Sequence, residues 1–313
     1  MSIFAWTAAL ALGAANPAAA TSVEVEAPGP SGPLRGTMLT PASPNAPLVV
    51  IIPGSGPTDR DGNNPMAPSG SYRLLAEALA AQGVATVRVD KRGTFGSAAA
   101  GAANEATIAG YAADMRSWVS TLRARTGAQC VWLLGHSEGA LVASAAREDA
   151  GVCGLILVAG GGRPLGTVIR EQLRANPANA PLLDQAMAAL DRIEARQPVD
   201  VATLHPALHP LFAPQVQPYL MDLLSYDPAA LLRGYERPIL IVHGARDIQV
   251  SEVDARALAA ANAGARLVIL PDVNHVLKHV ASDDRAANMA TYTNPDLPLA
   301  DGVADAIAGF VRR

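Results

Sequence analysis

Cys130-Val131-Trp132-Leu133-Leu134-Gly135-His136-Ser137-Glu138-Gly139, followed by Ala140-Leu141-Val142-Ala143-Ser144-Ala145-Ala146-Arg147, is the stretch that decides the fold. Its first five residues are an apolar run of strand length, and its Ala- and Leu-rich second half favours helix. Between them stands G-x-S-x-G. A serine on a tight strand-to-helix turn is pushed out beyond the sheet, and the flanking glycines leave room for the sharp backbone. The first N–H groups of the new helix lack intrahelical acceptors and face whatever the serine attacks. Five residues of this form also arise by chance. The strand before them and the helix after them make Ser137 a candidate nucleophile.

Working outward, strands and helices alternate. Ser22-Val23-Glu24-Val25-Glu26 and Leu34 to Leu39 alternate in polarity like antiparallel edge strands. Leu48-Val49-Val50-Ile51-Ile52 is continuously apolar, which suits a strand buried on both faces. Tyr72 to Ala81 reads as an amphipathic helix, Val84 to Val89 as a strand, and Glu105 to Arg125 as a long helix ending at Gly127. After the Ser137 turn come a strand from Gly154 to Ala159, strands at Pro238–Val242 and Arg266–Leu270 with the helix Glu252–Ala263 between them, and a final helix over Val303–Val311. This pattern predicts an α/β fold: a mostly parallel central sheet, helices on both faces, and ligands beyond the carboxyl ends of the strands.

One stretch breaks the rhythm. From Gly160-Gly161-Gly162 to Pro238, about 75 residues carry no strand signal. Helical pieces at Val168–Ala175 and Leu182–Arg196 alternate with Pro198, Pro206, Pro210, Pro214, Pro218 and Pro228. A structureless loop of this length is improbable inside a compact domain. The expected organisation is a core over residues 21–160 and 236–313, with 161–235 inserted as a helical cap over the carboxyl edge, near the substrate. A structural elaboration remote from the site is the alternative.

The 313 residues are 50% hydrophobic and 17% charged, with a formal net charge of −4 and no Lys/Arg cluster, which argues against nucleic acid as a partner. Aromatics make up only 4%, so a pocket should be lined mainly by aliphatic side chains. Residues 1–20 read as an export signal: Ile3 to Ala15 is apolar but too short to span a membrane, and Ala18-Ala19-Ala20 fits an A-x-A cleavage pattern. The alternative is an Ala-rich tail on a cytosolic protein. No other segment has the length and apolarity of a transmembrane helix. Cys130 and Cys153 start neighbouring strands at the end away from Ser137; an exported chain could bridge them, and two buried thiols are the alternative.

A serine hydroxyl needs a base within hydrogen-bond reach and an acid to orient that base. In this architecture they follow in the order serine, acid, histidine. Asp247 comes out of the Pro238–Val242 strand in His243-Gly244-Ala245-Arg246-Asp247, and His275 comes out of the Arg266–Leu270 strand in Pro271-Asp272-Val273-Asn274-His275. His279, on an expected helical turn, is the rival base, and Asp272 the rival acid. The other histidines fit less well: His136 belongs to the turn itself, His243 to a strand end, and His205 and His209 to the insert. After the Gly154–Ala159 strand comes Gly160-Gly161-Gly162-Arg163, without a carboxylate. Two N–H donors should stabilise the developing oxyanion: Glu138, and a donor from Pro53-Gly54-Ser55-Gly56-Pro57, with Ser55 preferred and Gly56 second.

With these residues in view, the chain resembles the α/β-hydrolases, in particular a bacterial serine carboxylesterase subgroup. Beyond the Ser137 turn the resemblance rests on Pro53-Gly54-Ser55-Gly56-Pro57-Thr58-Asp59-Arg60-Asp61-Gly62-Asn63, on Asp90-Lys91-Arg92-Gly93, on Asn274-His275-Val276-Leu277-Lys278 and on Tyr292-Thr293-Asn294-Pro295-Asp296-Leu297-Pro298-Leu299. It covers roughly Leu34 to the carboxyl terminus. Relatives often carry glycines two apart after the Asp-x-Arg-Gly string, where this chain has Gly93-Thr94-Phe95-Gly96-Ser97. Asp59, Arg60, Asp61 and Arg92 are expected to pin loops by ion pairs, with Glu138 as a partner for one of the arginines. The resemblance implies hydrolysis of small-molecule esters through Ser137, His275 and Asp247, with no metal or organic cofactor. Peptide or aminoacyl-amide cleavage, acyl transfer, and ligand binding without turnover are the alternatives.

Overall fold

A computed structural model describes residues 20–175 and 177–312. The expected export signal, residues 1–20, lies outside the described residues apart from Ala20. In chain order the elements are β1 (Thr21–Pro28), β2 (Pro33–Thr40), β3 (Leu48–Ile52), a small hairpin of β4 (Asn63–Asn64) and β5 (Ala67–Pro68), α1 (Ser71–Ala81), β6 (Ala85–Val89), α2 (Ile108–Thr126), β7 (Val131–His136), α3 (Glu138–Ala145) and β8 (Val152–Val158). There follow α4 (Leu165–Ala175), α5 (Leu183–Glu194), α6 (Gln217–Leu223), α7 (Pro228–Leu232), β9 (Ile239–Gly244), α8 (Glu252–Ala261), β10 (Ala265–Leu270), α9 (Arg285–Ala290) and α10 (Val303–Val311).

Eight strands form one sheet in the order β1-β2-β6-β3-β7-β8-β9-β10. β1 and β2 run antiparallel at one edge, and β6 onward are parallel. The chain passes from β3 to β6 on one side and then crosses to β7 on the other. A crevice opens at the carboxyl ends where the winding reverses; here Gly54-Ser55 leave β3 and Ser137 leaves β7. Leu75, Leu79 and Ile307 from α1 and α10 cover one face, while Trp118, Leu122 and Leu258 from α2 and α8 cover the other. Each large aliphatic side chain so buried contributes about 1.5–3 kcal/mol, which fixes the register of the strands beneath it.

Two details depart from the periodicity. The helix expected from Glu105 begins at Ile108, because Thr107 takes an extended backbone and its Oγ1 accepts the Gly110 N–H at 2.9 Å; Ala103–Glu105 is a separate 3₁₀ turn. The segment after Asp90-Lys91-Arg92-Gly93 turns at two residues of positive φ, Gly93 and Phe95, and then runs as a 3₁₀ helix.

Among the described residues no strand lies between β8 and β9. Leu190, Ile193, Phe212 and Leu220 gather there into a small apolar cluster separate from the two that sandwich the sheet. At the amino ends of β7 and β8, Cys130 and Cys153 are joined as a disulfide. Of the two alternatives left open by the sequence, the bridge is the one formed. No helix of the described residues has the length and apolarity to cross a membrane.

Candidate active site

The turn after β7 is strained. Ser137 has φ 55° and ψ −120°, a conformation that side chains rarely adopt. The neighbouring glycines make it reachable: a Cβ on Gly135 would meet the Gly139 carbonyl oxygen at 2.0 Å, and one on Gly139 would meet the Ile52 oxygen at 2.3 Å. Only glycine lets α3 start this close to β3 and β7. The serine then lines a pocket of about 120 Å³ together with Ser55, His275, Gln249 and Tyr292.

Asp247 and His275, from the turns after β9 and β10, meet at the same edge. His275 Nδ1 lies 2.7 Å from Asp247 Oδ2, and the Asp247 side chain is wholly buried. Burial alone would push this carboxyl up. The facing His275 ring and the N–H groups of Val250 and Gln249 more than offset that and hold it below the ordinary carboxylate range. An ionised Asp247 accepts only, so the shared proton sits on Nδ1 and Nε2 is the ring nitrogen that Asp247 leaves unengaged. Among the described residues Ser137 Oγ has no hydrogen-bond partner; such bonds often tighten only when substrate is bound. The rivals lie elsewhere. Asp272 pairs with Arg246 at 3.7 Å. His279 is exposed on a short bridge to Val273 rather than on the expected helical turn.

His136 links these parts. Its Nε2 is 2.8 Å from the backbone oxygen of His275, which can only accept, so Nε2 carries the proton. Nδ1 therefore accepts, at 2.8 Å, from the Tyr72 hydroxyl, which itself accepts the Gly54 N–H at 3.0 Å. Burial first, and the nearby His275 second, push His136 down to about 3, so it stays neutral. The His275 loop is held at two further carbonyls: Val276 accepts from Ser71 Oγ at 2.6 Å, and Leu277 from the Ala300 N–H at 2.8 Å. The Lys278 ammonium, lowered to about 8 by burial, donates to the Leu297 carbonyl, tying together two of the strings that carried the resemblance. The remaining strand-end histidine, His243, is buried with burial holding its ring neutral.

On the other side of Ser137, Lys91 Nζ donates to the Gly54 carbonyl at 2.7 Å and pairs with Glu138 at 3.4 Å, both side chains being about 95% buried (6% and 5% exposed). The Gly54 C=O and the Ser55 N–H share one trans peptide and point in opposite directions. Holding the carbonyl toward Lys91 therefore fixes the N–H the other way. Ser55 lines the Ser137 pocket, whereas Gly56 lines only the neighbouring cavity. Glu138 pairs with a lysine, not with an arginine as expected, because Arg60 and Arg92 are already engaged by Asp90 and Asp114. Asp61 pairs with Arg88. Asp59 makes no ion pair among the described residues; it accepts the N–H groups of Asp61 and Asn63, both at 2.8 Å. These residues pin loops and do not line the Ser137 pocket.

The family model described as the alpha/beta hydrolase family matches residues 49–290. This chain belongs to the alpha/beta hydrolase family. Esterase EstD of Thermotoga maritima is 27% identical over 239 residues, 74% of this chain and 54% of that protein, so this alpha/beta hydrolase spans about half the length of that relative. Est1E of Butyrivibrio proteoclasticus, solved with ferulic acid bound, superposes with a TM-score of 0.56 at 20% identity over 85% of this chain and 94% of its own. An esterase of Pyrococcus furiosus superposes at 0.57 and 16% identity, over 94% and 93%. The two solved structures support the alpha/beta hydrolase fold. Sequence reasoning missed Tyr72, Gln249 and Tyr292 as parts of this site. Tyr72 looked like one more apolar position on an amphipathic helix, and no spacing rule connects it to His136.

Proposed function

We propose that this alpha/beta hydrolase is a serine carboxylesterase acting on small-molecule esters of short to medium acyl chain. The observation that carries the reading is Ser137, on a strained turn, sharing a pocket with a His275 ring whose Nδ1 is held by a buried, ionised Asp247. The similarity to Thermotoga maritima esterase EstD supports it.

In this mechanism His275 Nε2 takes the Ser137 proton as Oγ attacks the carbonyl carbon, and Asp247 stabilises the resulting imidazolium. The oxyanion is received by the N–H groups of Glu138 and Ser55, the latter fixed by the grip of Lys91 on Gly54. The alcohol leaves with the proton from His275, and water, activated by the same ring, cleaves the acyl-enzyme. Segment 161–235 serves as the cap. Export to an oxidising compartment accords with the Cys130–Cys153 bridge.

Hydrolysis of p-nitrophenyl esters by the wild type, Ser137→Ala, His275→Ala and His279→Ala tests the assignment. Loss of activity by roughly 10⁴-fold in the first two, with His279→Ala close to wild type, is expected. Preferential cleavage of aminoacyl amides would replace the ester reading with an amidase.

A further inference from the structure

Two different cavities meet at Ser55. On the His275 side is the small polar pocket of about 120 Å³, with Asn64, Gln249 and Tyr292 in its wall. On the other side a cavity of about 500 Å³ opens beneath α6, walled by Tyr111, Val216, Tyr219, Leu220 and Leu223. Ser55 and Glu138, the chain neighbour of Ser137, border this second cavity, while Ser137 and His275 line only the smaller one.

Ester cleavage fixes which part of a substrate faces which side. The Ser137 Oγ–carbon bond forms, the carbon–alkoxy bond breaks, and the proton taken from Ser137 passes through His275 to the departing alcohol. The alcohol oxygen must therefore lie against the imidazole. With the oxyanion directed at its N–H donors, the remaining substituent of the tetrahedral carbon, the acyl chain, points away from His275 and past those donors. The two residues that carry the donors are the ones at the border of the larger cavity.

We propose that the cavity beneath α6 is the acyl compartment and takes an uncharged aliphatic acyl chain of medium length, while the pocket beside His275 takes a small alcohol. The wall is mainly aliphatic and aromatic, with Thr94, Asn104 and Gln215 beside it, and its two charged side chains, Lys91 and Glu138, oppose each other. A charged acyl chain would thus be desolvated without a free partner. This inference rests on the carboxylesterase reading.

The test varies the two halves of the ester separately in the wild type, Leu223→Trp and Leu223→Ala: p-nitrophenyl acetate to decanoate for the acyl side, and methyl to hexyl butyrates for the alcohol side. Leu223 stands in the cavity wall, away from the reacting groups. The wild type should prefer medium acyl chains and short alcohols. Leu223→Trp should lower kcat/KM on octanoate by roughly tenfold or more while sparing acetate, and Leu223→Ala should move the optimum to longer acyl chains, both without changing the alcohol preference. A shift in alcohol rather than acyl preference, or no shift in either variant while esters are still hydrolysed, overturns the assignment and leaves the esterase reading standing. Absence of ester hydrolysis in the wild type overturns both.

Discussion

The Tyr72 hydroxyl donates to His136 Nδ1 at 2.8 Å, and that contact joins the two halves of the candidate site. Through Tyr72 the Gly54 N–H is tied to α1, and through His136 Nε2 the backbone of His275 is tied to β7. The loop expected to carry an oxyanion donor and the loop that carries the proposed base thus share one buried hydrogen-bonded chain. Tyr72→Phe should lower kcat by roughly tenfold and cost about 1 kcal/mol of stability, with KM little changed. A raised KM with kcat unchanged in steady-state kinetics would show that Tyr72 acts on binding instead.

Lys91 makes a second prediction. Lys91→Met leaves the Glu138 carboxylate buried and unpaired, which should cost about 3–5 kcal/mol. Adding Glu138→Gln should recover much of that in denaturant unfolding. The catalytic defect should stay in the double variant, because the Gly54 carbonyl is still released; a loss of kcat of roughly 10²-fold is expected from a disordered oxyanion donor. Recovery of kcat along with stability would show that Lys91 merely neutralises Glu138.

Acid should destabilise the fold through His136. Its folded value, about 3, lies below the ordinary 6.5, so the unfolded chain binds the extra proton between those limits. The contribution is complete above pH 6.5 and is lost as the pH falls toward 3, on the order of 1–2 kcal/mol between pH 7 and 5. Denaturant midpoints measured across that range should fall for the wild type and fall less for His136→Gln. Parallel pH profiles would remove His136 as the source.

The Cys130–Cys153 bridge closes a loop of sequence separation 23 at the edge of the sheet away from Ser137. Replacing both cysteines by alanine should cost about 3 kcal/mol in unfolding free energy. Because neither residue touches the site, kcat/KM of the folded double variant should match the wild type. A matching loss of activity would mean that the strain at the Ser137 turn depends on this remote clamp.

Much of this was legible in the chain, and for physical reasons. Continuous apolar strands such as Leu48–Ile52 and the glycines around Ser137 each have one workable environment, so the sheet edge and its Ser137, Asp247 and His275 could be read in order. The β4–β5 hairpin was too short for any periodicity. The start of α2 turned on a single threonine hydroxyl. The parts played by Lys91 and Tyr72 are not legible in the chain because they lie in what these side chains touch: a lysine on a carbonyl, and a phenol between an amide and an imidazole. The partner of Glu138 was misjudged for the same reason, since choosing between Lys91 and an arginine requires knowing which arginines Asp90 and Asp114 have already taken.

The central claim is that Ser137 is the nucleophile, and a covalent label tests it most directly. After treatment with diethyl p-nitrophenyl phosphate, peptide mass mapping should find one diethylphosphoryl group, on the peptide containing Ser137, with ester hydrolysis lost in proportion to labelling. Labelling of another residue in step with inactivation, or full hydrolysis by Ser137→Ala, would contradict the account.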